Sequence, residues 1–333
     1  MPNRYLPMLR SKAGEAIALT NLTTAAKDRM MPVFHLVNTP PATFGASVGA
    51  AWAGRPMVLD GTFQTDIAGT AASFTQMFGV IGRATVRLIP SIEYNATPPY
   101  LTGVQQVRGR YFPGVLVKAK LNQLQAVQAW VIAQGWNPNE VDLVVTLGEI
   151  ANFDPATLVP VVVGAIQNNI PNPSPWRSIT LSASSAPKDH GGLARGRTDV
   201  PRLEWQVWRG VVAAGPPYQI DYADYSTITP DLTDPPGYVM SRATVSVRYT
   251  IDDYWIILKG RPTTGGSGQA MTPQYRAHAR TLVADPAFGG LVGCWADGRI
   301  QQIAAGNQTP GGRPQWASYA ANRHLSFIAD RLP

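Results

Sequence analysis

Tyr218–Tyr225, YQIDYADY, is the stretch on which the fold turns. Tyr218–Asp221 reads as a short strand, the last of a series. The acids Asp221 and Asp224 then stand at its end and just past it. Working back towards the start, short apolar runs recur at Tyr5–Leu9, Met31–Val37, Arg55–Asp60, Thr85–Pro90, Gly114–Lys118, Val141–Thr146 and Arg177–Ser182. Helical segments alternate with them. The clearest is Lys120–Gln134, where Leu121, Leu124, Val127 and Val131 recur at three and four, giving one apolar face that Gly135 ends. Pro155–Ile170 has an apolar centre, with Asp154 as N-cap and Pro155 at the first helical position. Val200–Ala213 carries Leu203, Val207, Trp208 and Val211 at helical spacing. Weaker segments lie at 14–27, 44–52, 68–80 and 99–109.

About eight strands alternating with helices predict parallel strands joined by crossovers. The expected fold is α/β, a (β/α)8 TIM-barrel-like domain. An open doubly wound sheet is the alternative, but no GxGxxG follows the first strand, which removes its usual dinucleotide-binding form. After Tyr225 the texture changes. Pro230–Gly237 is a loop, and Ala243–Thr250 with Tyr254–Lys259 reads as a β-hairpin around Ile251-Asp252-Asp253. Helices are expected at Pro273–Ala284 and Gln315–Leu332, with Trp295-Ala296-Asp297 in a loop between them. The expected organisation is a barrel over 1–229 and a C-terminal hairpin and helical flank over 230–333, packed as one unit.

Composition narrows the function classes. Of 333 residues, 45% are hydrophobic and 15% charged, a globular balance. Cys294 is the only cysteine, so one chain can form neither a disulfide nor a Cys-based zinc site. His35, His190, His278 and His324 are the only histidines. The opening MPNRYLPMLRSK has no signal-peptide-like apolar core, and no run of about 18 apolar residues exists. The expectation is a soluble, cytoplasmic protein with no membrane partner. The net charge of +7 admits a nucleic-acid partner through RGR at 108–110 and ARGR at 194–197. Scattered surface arginine accounts for it equally, and no helix-turn-helix or zinc-finger pattern is present.

In such a barrel the working face lies at the carboxyl ends of the strands. The residues there are Lys12, His35, Asp60, Glu93, Lys118, Ser182, Ser184, Lys188, Asp221 and Asp224. Asp60, Asp221 and Asp224 are the candidate catalytic acids, able to act as acid and base or to hold a divalent cation. Lys12, His35, Lys118, Ser184, Lys188 and the lid acid Asp297 are the candidate ligand contacts. A mixed Lys/Asp mouth suits a phosphate-bearing or nucleotide-like ligand, because Lys neutralises an anion as a point charge. The plainer readings are that strand ends are polar wherever they meet solvent, and that Asp221 and Asp224 cap a turn. Arg202 and Glu204 read as a tertiary pair, Trp208 as core, His324 as a packing histidine and Cys294 as buried. SASS at 182–185 lacks the GxSxG context of a serine hydrolase.

Several motifs carry a family resemblance. YLPMLRSKAGEAIAL opens the chain with Lys12, Gly14 and Glu15; VDLVVTLGEI follows at 141–150, RLEWQVWRG at 202–210 and YADYS at 222–226. RATVSVRYTIDDYWIILKGR at 242–261, CWADGRI at 294–300 and ANRHLSFI at 321–328 complete the series. In this order the motifs make the chain resemble the Beta-protein family of phages and bacteria over essentially its whole length. The chain departs from the family pattern in having His35 where an acid is usual, Thr146 where one is frequent, Ala223 in place of Gly before Asp224-Tyr225, and Arg323 in a His-His position. The resemblance implies a phage or prophage setting, in an infected or lysogenic bacterium, and brings no activity with it. Three functions stay open: an enzyme or binder of phosphate-bearing ligands at the barrel mouth, a non-catalytic interaction module binding a phage or host protein in phage assembly or phage–host conflict, and a nucleic-acid binder.

Overall fold

The computed structural model describes residues 4–38, 40–233 and 243–333. Part of the expected loop Pro230–Gly237 therefore lies outside the described residues. Eight parallel strands close into a barrel: β1 (Tyr5–Arg10), β2 (Val33–His35), β3 (Pro56–Asp60), β4 (Arg87–Glu93), β5 (Val115–Lys120), β6 (Val141–Glu149), β7 (Ser178–Ser184) and, after a strand β8 outside it, β9 (Ile220–Asp224). The outer helices are α1 (Ala13–Thr20), α2 (Thr24–Asp28), α3 (Ala42–Ala51), α4 (Thr62–Ala68), α5 (Ala72–Gly82), α6 (Pro98–Val107), α7 (Leu124–Ala133), α8 (Pro155–Asn169) and α9 (Leu203–Ala213). The (β/α)8 expectation holds, with every strand pair parallel, including the closure of β1 on β9.

Successive strand residues point to opposite faces, and this alternation divides the core. Leu6, Met8, Val33, Val58, Ile89, Leu116, Val144 and Ala223 point inward and fill the barrel. Their neighbours Tyr5, Leu9, Phe34, Leu59, Leu88, Val117, Val145 and Tyr222 point outward and pack beneath the helices. The amino-terminal end of the barrel is closed by ion pairs. Asp142 accepts from Arg177 Nη2 at 2.6 Å, and Asp221 accepts from Arg4 Nε at 2.9 Å.

The C-terminal hairpin is present as β10 (Thr244–Thr250) and β11 (Tyr254–Pro262). It gains a third strand that the sequence did not announce, β8 (Gly196–Pro201), paired antiparallel to β11. Most of β8 is exposed and polar, so no apolar run marks it. Because β8 lies between β7 and α9, the sheet of the flank draws one strand from the barrel half of the chain. Helices α10 (Met271–Val283), α11 (Trp295–Ala305) and α12 (Arg313–Arg331) pack on this sheet. Helix α11 replaces the expected loop at Trp295-Ala296-Asp297. Asn322 on α12 ties the flank to the barrel, accepting from the Ala296 amide and donating to the Ala18 carbonyl. No helix of the described residues is long and apolar enough to cross a membrane.

Candidate functional site

Four inward-facing residues at the carboxyl ends of neighbouring strands meet in one cluster. His35 on β2 is in register with Asp60 on β3, and Glu93 on β4 with Lys118 on β5. Lys118 Nζ lies 2.8 Å from Asp60 Oδ2 and 3.0 Å from Glu93 Oε1. His35 Nδ1 is 3.8 Å from Asp60 Oδ2, too far for a hydrogen bond but close enough to feel the charge. Asp60 Oδ1 also accepts from the Thr62 amide at 3.0 Å. Asp60 and Lys118 are 1% and 6% exposed, which makes this a buried ion pair. Tyr225, just past β9, stacks its ring on His35 at 6.1 Å between centroids.

The electrostatics follow from burial set against partners. Burial alone would raise the Asp60 carboxyl, but Lys118 and then His35 overcome it and hold it well below the usual carboxylate range. Burial alone would lower the Lys118 ammonium; Asp60 and Glu93 reverse that and keep it charged. Burial pushes His35 down to about 4, against the pull of Asp60, so its imidazole is neutral near pH 7. Its Nε2 is buried and has no hydrogen-bond partner. The cluster therefore offers a fixed ammonium, a fixed carboxylate and a neutral imidazole with one open nitrogen. Ser91, Thr180 and Ser182 face the same interior, and their buried hydroxyls have no partner either.

Several expected residues sit elsewhere. The last barrel strand is Ile220–Asp224 rather than Tyr218–Asp221, so Asp221 lies near its start. There it belongs to the floor of the barrel with Arg4, far along the strands from the mouth. Asp224 does reach the carboxyl end, but strand alternation turns it outward, under α12. Its carboxylate accepts from Tyr5 Oη, Tyr222 Oη, the Ser226 amide and His324 Nε2, which uses the lone pairs a carboxylate has. His324 Nδ1 meets Thr250 Oγ1 at 3.0 Å, so this histidine is a satisfied packing group. Asp297 starts α11, is fully buried and pairs with Arg323 Nη1 at 3.0 Å, so it is not a lid acid. Lys12 is the N-cap of α1 and lines a separate cleft of about 570 Å³ between α1 and α3. Ser184 is at the mouth, donating to the Ile228 carbonyl, and Lys188 is an exposed partner of Asp231 at 2.5 Å.

Asp60, Asp221 and Asp224 thus occupy the mouth, the floor and the helix layer, and among the described residues no three His, Cys, Asp or Glu side chains gather as a metal set. Lys118 fills the position between Asp60 and Glu93 that a cation would take. The arginines of the two basic motifs are partly spent: Arg108 pairs with Glu140 at 2.8 Å, and Arg197 with Asp199 and Asp285. Arg202 and Glu204 do pair, at 3.4 Å, because Arg202 is the N-cap of α9 and not part of its helical face. Burial pushes the Cys294 thiol up to about 12, leaving it inert near neutrality. Sequence reasoning missed Arg10 and Tyr225. The signal was available, since Leu6, Met8 and Arg10 share the period-2 inner face of β1.

With this geometry in place, the sequence profile of the Beta protein family matches residues 5–330. The chain belongs to the Beta protein family. The family match spans the barrel and the flank alike. No curated protein matches the chain. Solved structures similar to it include the following three. Triosephosphate isomerase from Bartonella henselae is 10% identical, covers 68% of this chain and 94% of its own, and superposes with a TM-score of 0.36. The prophage protein YagE of E. coli K12, of the dihydrodipicolinic acid synthase family and in complex with pyruvate, is 9% identical over 66% of this chain and 69% of its own, with a TM-score of 0.34. Tryptophan synthase of Mycobacterium tuberculosis is 11% identical over 66% and 74%, with a TM-score of 0.30.

Proposed function

We propose that the barrel mouth is a small-molecule site for a phosphate-bearing ligand, with Asp60, Lys118 and His35 as its working groups. The observation that carries this reading is the buried Lys118–Asp60 pair beside the open Nε2 of His35, all at the carboxyl ends of the strands. A buried ion pair adds little to stability over a packed apolar pair, because desolvating both ions offsets their attraction. Charged groups with shifted pKa values at this face of a barrel fit recognition or chemistry better than folding. Lys118 supplies positive charge to the anion. Neutral His35 gives or takes one hydrogen bond or proton at Nε2, and Asp60 stabilises that imidazole if it becomes charged. The pairing of Arg108 and Arg197 with carboxylates favours this reading over an oligonucleotide surface.

The test is thermal stability of the purified protein against sugar phosphates, nucleotides, divalent ions and short oligonucleotides. A ligand at about one hundred times its dissociation constant adds roughly 2.7 kcal/mol. The expected outcome is a rise with a phosphorylated small molecule that Lys118→Met removes. A rise with oligonucleotides alone, abolished by salt, would replace this reading with nucleic-acid binding.

A further inference from the structure

Next to the cluster lies a pocket that its four residues do not use. It has a volume of about 40 Å³ and sits between the ends of β1 and β9, under α12. Its polar lining is Arg10, Glu15, Tyr225, Ser226 and Thr227; Met8, Ile228 and Ala321 are among its apolar walls. A water needs roughly 10–15 Å³ measured this way, so the space suits one small oxyanion. Arg10 is in register with His35, on the adjacent strand, so the pocket abuts the cluster.

Three observations give the pocket its chemistry. Arg10 uses one nitrogen, Nε, on Glu15 at 3.4 Å, and among the described residues its Nη1 and Nη2 make no hydrogen bond. Ser226 is 4% exposed, its hydroxyl has no partner, and its backbone is left-handed at φ 56°. A non-glycine residue there is strained, and such strain gathers at ligand clamps. The third is a second guanidinium. Arg248 on β10 is held by His190 Nε2 at 2.9 Å and the Pro187 carbonyl at 2.7 Å, with no carboxylate paired to it among the described residues. Burial, and then the charge of Arg10, pushes it down to about 10 against the pull of Asp189. Glu15 pairs with Arg10, while the charge of Asp189 offsets part of that of Arg248 without an ion pair between them among the described residues. In barrels of this class the loops after the seventh and eighth strands recurrently bind phosphate. Here Ser226 and Thr227 come from the loop after the eighth barrel strand, and Pro187 and His190 from the loop after the seventh.

We propose that this pocket is the oxyanion subsite of the mouth, in which the Arg10 guanidinium and the Ser226 and Thr227 hydroxyls hold the phosphate group of the ligand. The inference rests on the mouth being a ligand site and places the ligand's anionic end within it. Glu15 remains the counter-ion of Arg10 and competes with the phosphate for it.

Calorimetric titration with inorganic phosphate tests the subsite alone. One phosphate per chain is expected, with affinity about tenfold weaker, or 1.4 kcal/mol, in Arg10→Met. Ser226→Gly relieves the left-handed strain while deleting the hydroxyl, so it folds and also weakens binding. Glu15→Gln tightens it. Asp60→Asn/Lys118→Met loses the larger phosphorylated ligands and weakens inorganic phosphate less than Arg10→Met does. Absence of phosphate binding to the wild type, or unchanged binding in both Arg10→Met and Ser226→Gly, overturns the subsite. Loss of the subsite with retained dependence of larger ligands on Lys118 leaves the mouth reading standing, so the two failures are separable.

Discussion

Replacing Lys118 with methionine removes the cation that pairs with both Asp60 and Glu93 while keeping most of the side-chain volume. At 2.8 Å and an effective dielectric near 20, the Lys118–Asp60 attraction is about 6 kcal/mol. Desolvating the two ions costs several kcal/mol each, so the net worth of the pair is small. Removing one partner is different, because Asp60 is then a buried carboxylate with no cation beside it. Lys118→Met is expected to cost roughly 3–5 kcal/mol, while Asp60→Asn/Lys118→Met is expected to lie within about 1 kcal/mol of wild type or above it. Chemical denaturation reads both, as a shift of midpoint at unchanged slope. Two results refute the reasoning. One is a cost below about 1 kcal/mol for Lys118→Met, which would mean that water screens the pair. The other is a double variant as unstable as the single one, which would make the pair a structural requirement.

Other outcomes follow from the buried network under α12. Asp224→Asn leaves four donors short of a carboxylate, so it is expected to destabilise by about 2–4 kcal/mol in denaturation, and, because one of those donors is the Ser226 amide, to weaken phosphate binding beside Arg10 as well. Burial, only partly offset by Arg202, raises Glu204 to about 7 from an ordinary value of 4.5. The folded state therefore keeps this proton where the unfolded state has lost it. The contribution is full below about pH 4.5 and declines as pH rises to about 7, by roughly 3 kcal/mol in all. Comparing wild type with Glu204→Gln across pH 4 to 8 isolates it, and the difference between them should grow with pH.

The barrel was legible because each strand is an apolar run and each crossover a helix, and Leu121, Leu124, Val127 and Val131 or the Asp154-Pro155 start survive folding unchanged. The mouth cluster was legible too, since His35, Asp60 and Glu93 end their strands with an inward side chain and Lys118 lies two residues before the end of β5. Asp221 and Asp224 went astray for one reason. YQID reads as a strand ending at Asp221, whereas the strand runs through Asp224 and places these residues, three apart, on opposite faces. That alone separates a floor residue from one in the helix layer. Asp297 was misplaced because Gly289 to Gly293 reads as open loop, and nothing in CWAD announces the buried Arg323 that pairs with it. Strand β8 was illegible because GRTDVP is largely exposed and owes its conformation to pairing with β11. The pocket beside Arg10 depends on α12 folding back over the mouth, a contact between distant parts of the chain that local pattern does not encode.

The most direct measurement is the melting temperature of wild type, Asp60→Asn/Lys118→Met and Asp221→Asn with and without a panel of sugar phosphates and nucleotides. If the mouth cluster is the working site, a ligand that stabilises wild type also stabilises Asp221→Asn, whose substitution lies at the barrel floor beside Arg4, and does nothing for the double variant. A ligand effect that persists in the double variant and disappears in Asp221→Asn would contradict the assignment and move the site to the barrel floor.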